Sequence, residues 1–132
     1  MKRIMKRIII DTNFFLIPIQ FHVDIFSEFH RLFNFEYRLC IFEETINELK
    51  HIMETQKQKH RKAAQFGLKL IKLKNIHIIK SEKKDVDTLI LENAAKDDVV
   101  ATVDLALKRE LIKKQIPVVF LRKKQFLELV IK

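Results

Sequence analysis

The hydrophobic positions of the chain fall into short β-branched runs separated by longer stretches of mixed polarity. Five runs are continuous or nearly continuous in apolar residues, which is typical of strands buried on both faces of a parallel sheet. A proline is tolerated at the first position of the last run, where no ladder N–H is needed. The predicted strands are Ile8–Ile10, Tyr37–Phe42, Ile76–Ile79, Val99–Val103 and Pro117–Leu121.

Between these runs, apolar residues recur every three or four positions, which predicts helices. The helices are predicted at residues 23–33, Glu43–Met53, Lys59–Lys74, Val86–Ala95 and Leu105–Lys114. No two consecutive strands are joined by a connection as short as a hairpin turn, and strands alternate with helices. This order predicts a parallel sheet of about five strands with helices on both faces, linked by right-handed crossovers. No linker or repeat divides the chain, so residues 1–132 are expected to form one domain.

Composition removes several classes of protein. The chain has 132 residues, of which 48% are hydrophobic, so it can bury a core. Its single glycine, Gly67, excludes the Gly-rich loops that cradle phosphates, because these need several residues without a Cβ. Its single cysteine, Cys40, excludes an internal disulfide and a cysteine-based zinc cluster, and its place within a predicted strand favours a core residue over a nucleophile. The five histidines show no metal-binding spacing.

The N-terminus resembles a signal peptide only superficially. Met1–Arg7 is basic and an apolar stretch follows, but Asp11, Asn13 and Pro18 interrupt that stretch and no small-residue cleavage site comes after it. No segment approaches the ~18 apolar residues that span a bilayer. We therefore expect a cytoplasmic protein that does not enter a membrane.

Charge points to a polyanionic partner. The formal net charge is +9, and residues 50–74 hold eight Lys or Arg against one Glu. Residues 85–110 instead hold seven acids against three bases. A basic region beside an acidic one suits a phosphate backbone held near a metal site. Four basic residues on the predicted helix at 59–74 are candidates for contacts to a nucleic-acid backbone, or else form an ordinary solvated face: Arg61, Lys62, Lys69 and Lys72.

Four acidic residues follow the predicted strands. Asp11 and Asp104 come directly after the first and fourth strands, whereas Glu48 and Asp87 lie in the helices after the second and third. Because parallel strands end at one edge of the sheet, these side chains are expected to converge. Carboxylates gathered together need cations, and an all-oxygen set favours Mg²⁺ or Mn²⁺. Such ions support phosphodiester hydrolysis.

Ordinary structural roles compete with this interpretation. Acids are favoured in the first turn of any helix, and Asp85 is a better N-cap candidate than Asp87. Glu43 and Glu48 flank the apolar face of their helix, and spacing does not choose between them. Asp97 and Asp98 precede a strand and are expected to be solvated turn residues at the opposite edge.

The pattern resembles the PIN domain family of metal-dependent nucleases from Ile8 to about Leu127. The motifs that carry the resemblance are Ile10-Asp11-Thr12-Asn13, Glu44–Leu49, Val86–Ile90 and Ala101-Thr102-Val103-Asp104. Residues 105–121 are similar to a branch that includes toxin-type and rRNA-processing members. The resemblance implies a three-layer α/β/α sandwich.

For the site, the resemblance implies a metal centre of four acids and favours Glu48 over Glu43. The acids are Asp11, Glu48, Asp87 and Asp104. Thr12, Asn13 and Thr102 are implied as polar groups that orient the carboxylates or water. The chain departs from the family in having Val103 where many members have Asn, and apolar residues at 105–107 where some have another acid.

The leading hypothesis is a Mg²⁺- or Mn²⁺-dependent endoribonuclease, of toxin or rRNA-processing type. The alternative is an RNA-binding ribosome-assembly factor that keeps the fold but has little or no nuclease activity. A phosphoacceptor switch is disfavoured, because Asp11 stands without an adjacent acid and Ser81-Glu82 follows the third strand. Expected partners are RNA, and an antitoxin or ribosome-assembly proteins. The apolar tail Phe126–Ile131 either packs between two chains of a homodimer or closes the domain's own core.

Three phenylalanines near the first acid have two interpretations. Phe14, Phe15 and Phe21 either fill the core or stack on bases near the site.

Overall fold

Six strands form a single sheet in a computed structural model of the chain, which describes residues 5–131. The strand order is β3-β2-β1-β4-β5-β6; the first five are parallel and β6 runs antiparallel to β5. The five predicted parallel strands are therefore confirmed, and a sixth was not predicted. Residues 1–4, which are part of the basic N-terminal segment, and residue 132 lie outside the described residues. The strands are β1 (Lys6–Ile10), β2 (Tyr37–Phe42), β3 (His77–Ile79), β4 (Val99–Ala101), β5 (Val118–Arg122) and β6 (Phe126–Val130).

Six α-helices cover the two faces of the sheet, and a 3₁₀ helix, Thr12–Leu16, follows β1. Five of them match the predicted helices to within a few residues; α1 and the 3₁₀ helix were not predicted. Among residues 5–131, no helix is long and apolar enough to cross a membrane. The helices are α1 (Ile17–Phe21), α2 (Ile25–Leu32), α3 (Glu43–Thr55), α4 (Gln58–Leu73), α5 (Val86–Asn93) and α6 (Leu105–Lys113).

The core consists of two hydrophobic clusters, one on each face of the sheet. Ile8 and Ile10 belong to the cluster under α2, α3 and α4, whereas Ile9 belongs to the one under α5 and α6. This alternation follows from the period of two along a strand, and it confirms the three-layer α/β/α sandwich. Phe14 and Phe15 are fully buried in the first cluster, so the suggestion that they stack on bases is wrong for these two.

Gly67 allows α4 to approach the 3₁₀ helix closely. A Cβ at this position would lie 3.0 Å from the Cβ of Phe15, closer than packed side chains normally come. The glycine therefore lets the helix press on the segment that begins at Thr12. This packing fixes the backbone that follows Asp11.

The C-terminal strand β6 closes the domain's own core rather than leaving it open. Leu127 is 1% exposed and belongs to the first cluster. Its N–H donates to Glu28 Oε1 at 2.8 Å, and its C=O accepts from Arg31 Nη2 at 2.7 Å. Two side chains of α2 thus bind backbone groups at the outer edge of β6. An exposed edge strand could otherwise form hydrogen bonds with a strand of another chain.

One expectation about the opposite edge of the sheet is wrong. Asp98 was expected to be a solvated turn residue, but it is 5% exposed. Because Ile8 pairs with Val99, Arg7 lies beside Asp98 and donates to it through Nε at 2.9 Å and Nη2 at 2.7 Å. Asp98 Oδ2 also accepts from Ala95 N–H. Its neighbour Asp97 is exposed, as expected.

Replacing Asp98 by alanine is expected to destabilise the fold without touching the carboxyl edge of the sheet. The change removes a two-point contact with Arg7 and the acceptor for a backbone N–H, and hydrogen bonds to charged groups contribute about 1.5–3 kcal/mol each. We expect the free energy of unfolding to fall by about 2–3 kcal/mol, measured by urea denaturation. Asp97→Ala is the control, and an equal loss in that variant would contradict the assignment.

Candidate active site

Asp11 and Thr102 lie side by side at the carboxyl edge of the sheet. Ile10 pairs with Ala101, and Asp11 N–H donates to the Ala101 carbonyl at 2.9 Å, which carries the ladder one residue beyond β1. Both residues are buried, at 7% and 0% exposure. The end of a fully apolar strand therefore places a carboxylate inside the protein rather than on its surface.

Hydrogen bonds hold the Asp11 carboxylate in place and connect it to the next acid. Its Oδ1 accepts from Thr12 N–H at 2.9 Å, and its Oδ2 accepts from the Thr102 hydroxyl at 2.8 Å. The Thr102 oxygen in turn accepts from Asp104 N–H at 3.1 Å. Thr102 therefore bridges the two acids that follow β1 and β4.

Glu48 reaches the same place from α3. Its Oε1 accepts from the Thr12 hydroxyl at 2.5 Å, and its Oε2 accepts from Val86 N–H at 2.9 Å. Glu43, the other candidate in this helix, instead accepts from Ser81 N–H at 2.9 Å. The geometry therefore selects Glu48 as the acid of α3 that adjoins Asp11.

Glu48 and Asp104 lie close enough to Asp11 to affect its ionisation. The pKa of Asp11 is raised from 3.8 to about 6, chiefly because burial penalises its charged form. The hydrogen bonds from Thr102 and Thr12 oppose this increase, whereas the negative charges of Glu48 and Asp104 add to it. An uncompensated carboxylate at this position is thus costly, and a cation would relieve the cost.

Asp104 has a structural role as well as its place beside Asp11. It is the N-cap of α6, and its Oδ1 accepts from Leu107 N–H at 3.1 Å. The side chain is nevertheless exposed. An N-cap uses one lone pair of a carboxylate that has about four acceptor positions, so the cap leaves capacity for a cation.

Asp87 is placed differently from the other three acids. It is exposed in the first turn of α5, and its Oδ1 accepts from the N–H of Thr88. The hydrogen bonds of the described residues do not connect it to the other acids. Asp85 precedes α5 but makes no capping hydrogen bond, and the N–H of Val86, the first residue of the helix, donates to Glu48. The role of Asp87 stays a prediction.

The donor set suits a hard divalent ion that keeps part of its hydration. Within residues 5–131, no three acidic, histidine or cysteine side chains are arranged to bind one ion together. Mg²⁺ commonly takes only one or two carboxylates and retains several waters. Asp11 and Asp104, both oxygen donors joined through Thr102, fit that requirement.

A cleft of about 460 Å³ opens beside Glu48 and contains polar residues that sequence reasoning missed. Glu44, Asn47 and His51 were not predicted; together with Glu48 they form one face of α3 at the spacing i, i+3, i+4 and i+7, a pattern that the sequence already contains. Asp85 faces them from the start of α5. We call this the acidic cleft; it is lined by Thr12, Asn13, Glu44, Asn47, Glu48, His51, Ile52 and Asp85.

The predicted RNA-binding side chains share one exposed face of α4. The opposite face is buried and includes Ala63, Ala64 and Leu70. The helix therefore has the amphipathic form that its sequence predicts, with a basic outer surface. The exposed basic residues are Arg61, Lys62, Lys69 and Lys72.

Fold and site together define an α/β domain with an acidic cluster at the carboxyl edge of its sheet. Residues 8–124 match the family described as "PIN like domain", and the chain belongs to that family. The resemblance found in the sequence is thereby confirmed.

The chain is similar to "Ribonuclease VapC4" of Methanocaldococcus jannaschii, with 28% identity over 127 residues that cover 95% of this chain and 97% of that protein. In structure it is similar to the "PIN domain endonuclease Utp24", with a TM-score of 0.74 and 22% identity over 96% of this chain and 93% of that one. A domain of a functionally unknown protein from Methanocaldococcus jannaschii has a TM-score of 0.56 and 16% identity, covering 89% of this chain and 91% of that one.

Proposed function

We propose that this protein is a metal-dependent endoribonuclease that hydrolyses phosphodiester bonds in single-stranded or structured RNA. The observation that carries the proposal is a chain of hydrogen bonds at one edge of the sheet, in which Thr12 joins the carboxylates of Glu48 and Asp11, and Thr102 joins the Asp11 carboxylate to the backbone N–H of Asp104. Similarity to a ribonuclease and to an endonuclease of the same fold supports the same reaction.

Each acid has a distinct part in this proposal. Asp11 and Asp104 hold a Mg²⁺ or Mn²⁺ ion, which when bound supplies an activated water and stabilises the leaving oxygen. Glu48, fixed by Thr12 and Val86 N–H, positions water beside the ion. In this proposal Asp87, on α5, is the fourth acid of the metal site. Thr12 and Thr102 orient the carboxylates, and exposed Asn13 lies at the rim of the acidic cleft.

RNA is held by its backbone in this proposal. The basic face of α4 supplies four cations to phosphates, and the net charge of +9 favours approach of a polyanion. Binding is therefore expected to weaken steeply with salt. The biological setting that we propose is either a toxin held by an antitoxin or a processing enzyme working with ribosome-assembly proteins.

Removing divalent ions is expected to abolish cleavage while leaving RNA binding in place. Wild-type protein is incubated with 5′-labelled single-stranded RNA in Mn²⁺, in Mg²⁺ and in EDTA, and the products are resolved on a denaturing gel. We expect at least about a thousandfold slower cleavage in EDTA, because the ion contributes several kcal/mol to the transition state. Restored Mn²⁺ should restore the rate.

Two results would contradict the proposal. Undiminished cleavage in EDTA would point to a reaction that needs no ion. Salt-sensitive RNA binding with no cleavage in either metal would instead support the RNA-binding assembly factor.

A further inference from the structure

A second cleft, of about 560 Å³, adjoins the acidic cleft and is not used by the proposed chemistry. The two clefts share Asn13 and Ile52. The second cleft also includes Val103, which stands between Thr102 and Asp104 in the sequence. A molecule bound there is therefore next to the acids.

The lining of this apolar cleft suits a flat, unpaired base. Its floor includes Leu16 and Ile17, which are 7% and 1% exposed. Half-buried Phe21, which packs against the same cluster as Leu16 and Ile17, contributes an aromatic ring. Aromatic faces stack on nucleobases irrespective of sequence. Val103, at the position where many PIN domains carry Asn, makes the wall nearest the acids apolar as well.

Polar groups stand around the rim where the edges of a base and its phosphate would lie. Gln20 Nε2 lies 3.1 Å from His60 Nδ1, and the amide of Gln56 is close by in the same lining. Amide and imidazole groups can pair with the edges of an unstacked base. The ammonium of Lys124 lies over the Phe21 ring, 5.8 Å from its centre, so a base that stacks on this side of the ring displaces the ammonium, which then supplies a cation at the rim.

Size and charge favour RNA over a protein segment as the occupant. A helix docked in a groove needs room for anchors along several turns, whereas a volume of about 560 Å³ is that of a small-ligand site. The rim cation and the net charge of +9 attract a phosphate chain. We infer that the apolar cleft binds one unpaired base of the RNA, next to the phosphate that is cut, with Phe21 as the stacking surface. This inference rests on the proposed function.

The test compares binding of RNA with and without bases, in EDTA so that the RNA stays intact. A ten-nucleotide oligouridylate and a base-free ribose-phosphate chain of the same length are each titrated with protein by fluorescence anisotropy. Wild type is expected to bind the oligouridylate about tenfold more tightly, the effect typical of one stacked base. Phe21→Leu is expected to reduce this preference to about twofold and to leave binding of the base-free chain unchanged.

Phe66→Leu is the matched control. Phe66 is a phenylalanine that is 36% exposed, whereas Phe21 is half-buried, and it lies outside the apolar cleft. That variant should keep the tenfold preference. Thermal unfolding checks both variants, and Phe21→Met, whose flexible side chain fills irregular gaps without a ring, replaces the leucine variant where that one does not fold.

The outcomes separate this inference from the proposed function. Equal binding of both chains by wild type, or a preference that survives in Phe21→Leu, overturns the base site, and the cleft then takes something else, such as a protein segment. Metal-dependent cleavage by wild type in either case leaves the proposed function standing. A preference that depends on Phe21 without any cleavage supports the base site and removes the nuclease.

Discussion

Asp11→Asn is expected to abolish RNA cleavage and, in the absence of metal, to make the protein more stable. Cleavage should fall at least about a thousandfold, because an amide does not supply the charge that holds and neutralises a divalent ion. The fold should persist, since the asparagine oxygen can still accept from Thr12 N–H and the new amide can donate to the Thr102 hydroxyl. Activity and stability then move in opposite directions, which a merely structural residue would not show.

The gain in stability follows from the raised pKa of Asp11. The folded protein holds this pKa at about 6, against an ordinary value of 3.8. Well below pH 3.8 the carboxyl of Asp11 is neutral in both the folded and the unfolded state and does not affect stability. As the pH rises through 6, the Asp11 carboxyl becomes charged in the folded state as well. The resulting loss in the free energy of unfolding reaches at most about 3 kcal/mol. Asparagine never carries the charge, so it avoids this loss.

Urea denaturation in EDTA measures this effect at two pH values. At pH 7.5 the variant should be about 2–3 kcal/mol more stable than wild type, and at pH 5 the difference should shrink to about half. Asp97→Asn, an exposed acid at the other edge, should change stability by less than about 0.5 kcal/mol at both. A less stable Asp11→Asn protein at pH 7.5 would show that its charge is not a burden to the fold.

Sequence reasoning predicted those strands and helices whose hydrophobic positions recur at a clear spacing. The run Tyr37–Phe42 is a strand with the predicted bounds, and Glu43–Thr55 extends its prediction by two residues. The two helical turns between Thr12 and Phe21 were missed, because Phe14–Ile17 is apolar throughout and shows no helical spacing. His22, with a φ of 56°, ends that segment without the glycine that usually marks such a residue.

Strand β6 was missed for a related reason. The turn before it places Lys123 and Lys124 at φ values of 52° and 56°, a left-handed conformation that glycine or asparagine normally adopts. Two lysines give no hairpin signal in the sequence, so the tail remained ambiguous. The burial of Asp98 escaped notice because it depends on Arg7, which only the pairing of β1 with β4 brings near.

At the site, strand ends were informative and helix positions were not. Asp11 and Asp104 follow apolar runs directly, and parallel topology alone predicts that they meet. Glu48 needed the resemblance to be chosen over Glu43, because rotation about a helix axis depends on packing that the sequence does not state. The hydrogen bond from the Val86 N–H to Glu48 arises from contact between two helices, which no local pattern reveals.

Two substitutions of Asp104 separate its role as a helix cap from its proposed role in catalysis. Asp104→Asn and Asp104→Ala should both lower metal-dependent RNA cleavage by about a thousandfold, because neither side chain can hold the ion as a carboxylate. Only the alanine variant should lose stability, by about 1 kcal/mol, because asparagine is as good an N-cap as aspartate. Single-turnover cleavage in Mn²⁺ and urea denaturation in EDTA provide the two measurements.

Asp24 is the control, because it also caps a helix: it accepts from the N–H groups of Phe26 and Ser27 in α2 and from the Ser27 hydroxyl, whereas Asp104 accepts from one N–H of α6. Asp24→Ala should lose at least as much stability as Asp104→Ala and should cleave RNA at the wild-type rate. Cleavage by Asp104→Asn at the wild-type rate would reduce Asp104 to a helix cap. The ion would then have to be held by Asp11 and Glu48, which meet through Thr12 rather than through Thr102.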